Sequence, residues 1–339
     1  SGRYQVRTTR YGASFVSNGH GNVIFAKCIK ARRVSAEYLS RGIKSRGDTV
    51  ALLHSLVLGY RSSLPRDLYE VFAATGTLHV FAISGLHIGI VASFITCVLR
   101  LLRVPKTRWI FYVIPLIVGY TIATGARTSS VRACVMALIY FLSFFLGRRN
   151  DTISSLSLAA IVILLWDPSQ IFDRGFIYSF IVVLGLVALT PFFFGLMLGS
   201  PDDDMDFVEA QLWRIKLKRR FLVILRSLIA MSVSAWLVSA PLTALFFGKF
   251  VPVSVLANLF VVPMVSVIAV TGFLSIVFGA SIGGLVSFGL NWVNVGFVTV
   301  LERILSLLVS LPFASIEINR PAWYFVAVWY VLLMIIGNF

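Results

Sequence analysis

Three side chains near the start of one apolar run have the chemistry for proton transfer: His79, Ser84 and His87. Ser84 and His87 are three apart and share a helix face. An intramembrane serine hydrolase needs a nucleophile within reach of a base. Neighbours on one helix are poorly placed to share a proton, however, and no carboxylate stands nearby to orient an imidazole. A polar surface that faces a pore or packs against another helix is the better use of these residues, with Gly85 permitting close backbone approach.

A second set is cationic. Arg132 lies inside an apolar run and Arg127 just before it. A membrane-embedded guanidinium needs a carboxylate, carbonyls, water or a polyanion. Two readings stand side by side: a buried pair with Asp167 or Asp173, or a face on a phosphate path. Asp167-Pro168 and Asp173-Arg174-Gly175 are also good turn chemistry, and turn capping is the favoured role of Asp167, Asp173 and Gly175. Lys249 precedes a third polar point, Asn258, which sits in an apolar run shortly before Pro263. That spacing predicts either a discontinuous helix whose freed backbone is buried or wet, or an interhelical hydrogen bond from Asn258.

Other chemistries find no footing. The four histidines (His20, His54, His79, His87) and three cysteines (Cys28, Cys97, Cys134) form no CxxC or Cys/His cluster. There is no P-loop or dinucleotide fingerprint. No metal, no cofactor, no ATP hydrolysis and no metal-dependent nuclease chemistry is implied.

The elements that must position these residues are membrane helices. Hydrophobic residues make up 58% of the chain and charged residues 13%, against about 25% charged in a soluble domain. Several runs reach the roughly 20 residues a bilayer span needs. The expected fold is an all-α polytopic membrane protein, a bundle of about seven to nine transmembrane or interfacial helices, with a short β-rich N-terminal remnant. Residues 1–33 read as a basic β-rich segment with strand-like Tyr4–Thr9 and Asn22–Cys28. Residues 34–76 read as a leader with one amphipathic helix over 34–59. Residues 77–339 read as the membrane domain, opened by a helix over 79–102. The start, with no initiator Met and no signal peptide, reads as cut from a longer chain. Residues 282–311 are Gly-rich and polar enough to cross or to lie in the interface.

The formal net charge of +16 suits cytoplasmic loops first and a polyanionic partner second. Basic loops at 100–108, 147–149 and 214–220 are separated by two spans each, which puts all three on one side. The positive-inside rule makes that side cytoplasmic and leaves the N-terminal segment outside.

Ordered motifs then carry a resemblance. Thr75-Gly76-Thr77-Leu78-His79 leads into Ala82-Ile83-Ser84-Gly85-Leu86-His87-Ile88-Gly89. Ser55–Arg61 precedes it. Thr124-Gly125 with Ser130-Val131-Arg132-Ala133, Gly147-Arg148-Arg149, Asp167-Pro168 with Phe172–Phe176 and Ser179-Phe180, and Pro241-Leu242 with Phe247–Phe250, Ala257-Asn258-Leu259 and Pro263 follow in order. From about residue 50 onward the chain resembles the ComEC-type competence family. Ile177-Tyr178 departs from that family's usual Gln-Leu, and Arg127 is an unusual charge in its loop.

The resemblance implies a multi-pass channel in the bacterial cytoplasmic (inner) membrane. It would import single-stranded DNA during natural transformation, without enzymatic activity of its own. His79, Ser84, Gly85, His87, Arg127, Arg132, Lys249, Asn258 and Pro263 are the candidates for its DNA path. Membrane lipid, a separate DNA-receptor protein and a cytoplasmic ATPase are the implied partners, with nuclease activity supplied by a missing domain or another protein. Residues 1–33 would then be the edge of an outer OB-like domain. An intramembrane hydrolase using Ser84 and a small-solute transporter are the alternatives.

Overall fold

The computed structural model describes residues 6–9, 12–15, 23–60, 64–81, 85–147, 151–198, 213–281 and 284–336. A hairpin of β1 (Val6–Thr9) and β2 (Gly12–Phe15) pairs Val6 with Phe15. Helices carry nearly everything else. Helix α1 covers Val23–Leu39, which corrects the strand expected over Asn22–Cys28. The branched and aromatic residues at its start look β-forming, but the good helix formers that follow, Ala26, Lys27, Lys30, Ala31, Arg32 and Arg33, win over the longer window. The single helix expected over 34–59 is two. Gly42 takes φ +75°, a conformation costly for other residues, and α2 begins afresh at Gly47 and ends at Leu58.

The chain divides into two compact units: residues 1–73, 77–151 and 261–307, and residues 74–76, 152–260 and 308–339. In the first unit α1 and α2 form a hairpin in which Ser40 and the Ala36 carbonyl both meet His54 Nε2, at 3.0 and 3.1 Å. The short helix α3 (Arg66–Ala74) follows. The helix expected over 79–102 is shorter. A 3-10 turn covers Leu78–Phe81, and α4 covers Gly85–Leu101. Helices α5 (Ile110–Ala123) and α6 (Thr128–Phe145) complete a three-helix core. There Ile88, Ala92 and Leu99 of α4 pack with Val113 and Ile117 of α5 and Ala133 and Cys134 of α6.

Helix α10 (Ser254–Ser281) does not break at Pro263, which corrects the discontinuity expected there. Ala257, Val261, Val265, Ile268 and Ala269 are fully buried, and their packing keeps the helix continuous past one missing N–H. Within 282–311 the structure forms α11 (Gly284–Val309), whose 26 residues are apolar and long enough to cross.

The second unit holds α7 (Thr152–Trp166), α8 (Arg174–Leu198), α9 (Trp213–Phe247) and α12 (Trp323–Ile336). Leu189, Val238 and Leu333 form its core. A two-residue ladder of β3 (Lys249–Phe250) and β4 (Ile316–Glu317) had no signal in the sequence. Tyr178 supplies a polar contact: its hydroxyl lies 3.0 Å from Thr243 Oγ1.

Among the described residues, α8, α9, α10 and α11 each contain a stretch long and apolar enough to cross a membrane. Large apolar side chains stand exposed along the helices, with Trp166 at 92% and Leu285 at 85%. Water would not tolerate such a surface, and a bilayer covers it. The protein is an all-α membrane protein.

The α7–α8 connection is built on carboxylates. Asp167 Oδ1 accepts from the Ser169 amide at 3.1 Å and its hydroxyl at 2.7 Å, and Oδ2 accepts from Gln170 Nε2 at 2.9 Å. Asp173 Oδ1 accepts from the Phe176 amide at 2.9 Å and so caps α8. The Gln170 and Ser169 hydrogen bonds hold the Asp167 carboxyl below the usual carboxylate range. A depressed folded-state pKa contributes stability above the unfolded value and loses it as pH falls through the folded value. Asp167→Asn is therefore expected to differ from the parent at neutral pH and to converge with it in acid. Unfolding midpoints measured from pH 7 to pH 3 check this, and a difference that grows toward acid would contradict it.

Candidate functional site

The polar points of the first unit fall in separate places. His79 is exposed on its 3-10 turn. His87 is fully buried, and its ring donates to the Leu56 carbonyl of α2. Ser84 lies outside the described residues, and Gly85 opens α4. Arg127 and Arg132 are five apart, about 140° around a helix, and their environments differ accordingly. Arg132 is 3% exposed and engaged by its neighbours, whereas Arg127 is exposed.

Arg127 instead follows a turn that a residue from far upstream reaches. Helix α2 ends at Leu58, and the last carbonyls of any helix lack intrahelical partners. Two side chains take them. Arg32 of α1 donates from Nε to the Leu58 carbonyl at 3.1 Å, and Tyr120 of α5 donates its hydroxyl to the Val57 carbonyl at 3.0 Å. The Arg32 guanidinium lies over the Tyr60 ring, 3.8 Å from its centroid. That stack fixes the plane of the fork. Next comes the tight α5–α6 turn, in which Gly125 and Ala126 both have positive φ, +97° and +45°. A terminal nitrogen of Arg32 lies 4.0 Å from where a Cβ on Gly125 would sit. Arg127 follows at the N-terminus of α6, close enough that its charge acts on Arg32. Burial lowers the Arg32 pKa from its usual range, and the like charge of Arg127 pushes the same way. Among the described residues, neither arginine has a carboxylate within ion-pair distance.

A groove of about 480 Å³ runs beside α4, lined by Leu86, Gly89, Ile90, Ser93, Phe94 and Phe273 among others. Ser93 is its lone hydroxyl in that set, so the groove suits acyl chains better than a polyanion. Among the described residues no three His, Cys, Asp or Glu side chains converge in a way that could hold a metal ion.

In the second unit Lys249 faces Glu317 across the β3–β4 ladder, with Nζ and Oε1 4.0 Å apart. Both side chains are well exposed, so the pair contributes little. Asn258 is half-buried, and its Oδ1 finds no hydrogen-bond partner among the described residues. Pro263 lies five residues further along α10.

Comparison with known proteins places this architecture. A family model described as "Competence protein" matches residues 56–339, most of the chain. The chain belongs to the competence protein family. Among curated relatives, this family member is 24% identical over 279 residues to ComE operon protein 3 of Bacillus subtilis, covering 81% of this chain and 32% of that protein. It is 27% identical over 227 residues to the uncharacterized protein YcaI of Escherichia coli, covering 65% of this chain and 28% of that one. Recombination protein 2 of Haemophilus influenzae is 32% identical over 125 residues, covering 34% and 16%. The competence-family chain thus spans about a third or less of these relatives. No solved structure matches it.

Sequence reasoning missed Arg32, Tyr60 and Tyr120 as members of one cluster. In the sequence Arg32 falls in the basic segment 1–33 and Tyr60 in the leader 34–76. The available signal was the pairing of a mid-helix arginine with a tyrosine just after a helix-ending Gly59, whose φ is +74°. Nothing in the spacing told that Arg127 would join them.

Proposed function

We propose that this chain forms part of the membrane path by which DNA reaches the cytoplasm during natural transformation. The strand would pass as single-stranded DNA, and the chain would act as a conduit rather than as a catalyst. The observation that carries this reading is the family match over residues 56–339, laid on helices long enough to span a bilayer. The arginine pair at the α5–α6 turn supports it, because a strand carries one negative charge per nucleotide and its path needs cations. The bilayer would be the bacterial inner membrane, with the N-terminal hairpin outside and the basic loops inside. The driving energy would come from a partner ATPase. A receptor protein would deliver the DNA, and nuclease activity would come from elsewhere.

The test is passage of labelled DNA into the cytoplasm of a naturally competent host with this gene deleted and then restored. Deletion is expected to leave DNA bound outside and none inside, with rescue on restoration. Normal passage without the gene would overturn the reading.

A further inference from the structure

We propose that Arg32 and Arg127, set against the Tyr60 ring at the α5–α6 turn, bind one phosphate of a polynucleotide backbone. The proposal deepens the DNA-path reading and rests on it for the identity of the polyanion.

The argument begins with charge. Two arginines from distant parts of the chain serve one turn: a terminal nitrogen of Arg32 reaches the Gly125 side of it, and Arg127 stands two residues further on. Like charges brought together in a partly desolvated place repel unless something negative sits between them. Among the described residues no carboxylate does so. The Leu58 carbonyl occupies Nε of Arg32, which leaves its terminal nitrogens turned toward the Gly125 side of the cluster. Two terminal nitrogens of a guanidinium present the fork that matches two phosphate oxygens. Arg127 stands just ahead of the 18-residue α6, at the helix N-terminus, where leading amides and the helix dipole favour an anion.

Stacking decides the kind of readout. The Tyr60 face toward the site already carries the Arg32 guanidinium, so it is not free to stack a base. The site therefore reads a backbone phosphate and not a sequence. Gly125 has no side chain, and even a Cβ built there would sit 4.0 Å from the Arg32 terminal nitrogen, so the turn does not crowd the fork.

The test uses the full chain in nanodiscs of neutral phosphatidylcholine, titrated with a fluorescent oligothymidylate over a range of salt concentrations. Arg127→Gln is expected to weaken binding about tenfold, the scale of a charge-assisted hydrogen bond. It should also flatten the slope of log K against log salt by about 0.7, the value for one lost single-strand phosphate contact. Arg32→Gln is expected to do the same, and the double variant to lose less than the two single losses combined, since both act on one phosphate. Arg127→Lys should keep the slope.

Arg32 also caps α2, so Arg32→Gln carries a risk of misfolding. Arg127 is exposed, and its variant alone still decides the matter. Wild-type affinity and slope in Arg127→Gln would overturn the site. So would a loss of affinity at unchanged slope, which marks a structural effect. A parallel arm adds phosphatidylglycerol to the discs. If the parent then loses oligonucleotide binding while Arg127→Gln selectively loses retention of that lipid, the phosphate is a headgroup and the polynucleotide assignment fails. Failure here is separable from failure of the function. Intact binding in the variants beside lost DNA passage on gene deletion sinks the site alone. Lost binding beside normal passage sinks the function alone.

Discussion

Asn291→Leu is expected to cost about 2–3 kcal/mol of stability. Each buried polar group left without a partner costs roughly 1–3 kcal/mol, although hydrogen bonds inside membrane proteins average nearer 0.6. Helix α1 ends at Leu39, and its last carbonyls point at α11. Asn291 Nδ2 donates to the Tyr38 carbonyl at 2.8 Å and to the Arg41 carbonyl at 3.1 Å. Ser275 of α10 donates to Asn291 Oδ1 at 2.7 Å. One fully buried amide thus joins three elements of the first unit. Leucine has a similar volume but strands the Arg41 carbonyl and removes the acceptor of Ser275. Tyr38 and Ser275 keep second partners, since the Ser287 hydroxyl donates to the Tyr38 carbonyl at 3.2 Å and lies 2.9 Å from Ser275 Oγ. That redundancy keeps the cost from being larger. Asn294→Leu is the control. Its Oδ1 accepts from the Thr271 hydroxyl, while its Nδ2 has no partner among the described residues, so removing it relieves one unsatisfied donor. Unfolding of the detergent-solubilised chain by SDS should show a clearly larger loss at 291 than at 294. Equal losses would mean that volume, not hydrogen bonding, matters at this interface.

Trp329→Phe is expected to cost about 1 kcal/mol, and to cost almost nothing when Pro241 is replaced by alanine. Pro241 lies inside α9 and has no N–H. The carbonyl it deprives is that of the residue four back, Leu237. Trp329 Nε1 of α12 donates to that carbonyl at 2.9 Å, and the neighbouring Tyr330 hydroxyl donates to the Val238 carbonyl at 2.7 Å. In hydrocarbon no water can take their place. Pro241→Ala restores the missing donor within α9, and the indole bond then becomes dispensable. A double-mutant cycle on the same SDS unfolding signal measures the coupling. Additive losses would show that the indole acts through packing and not through the orphaned carbonyl.

These two cases show what was legible beforehand. Apolar composition and run length marked a bundle of membrane helices, because the bilayer imposes both and they are written residue by residue. Proline positions were equally plain, but their consequence was not. Pro263 leaves α10 intact because fully buried neighbours such as Val261 and Val265 hold it. Pro241 is answered by a tryptophan 88 positions later, and only packing could bring the two together. The β3–β4 ladder and the early start of α1 escaped for related reasons. A two-residue strand has no periodicity, and a few branched residues at a helix end mimic a strand.

For the candidate site the division is sharper. Residue types alone established a basic, membrane-embedded chain with the ordered motifs of one family, since composition and spacing are properties of a line. They singled out Arg127 as a charge needing a partner. They could not say that Arg32 would be that neighbour, or that Tyr60 and Tyr120 would frame it. Which cation is buried, which is exposed and which two converge depends on how α1, α2 and α5 pack. The reason is physical: charge interactions are screened by distance in space, over about 8–10 Å at ordinary salt, and nothing along the sequence encodes that distance until helix ends, with their unpaired carbonyls, have found the side chains that satisfy them.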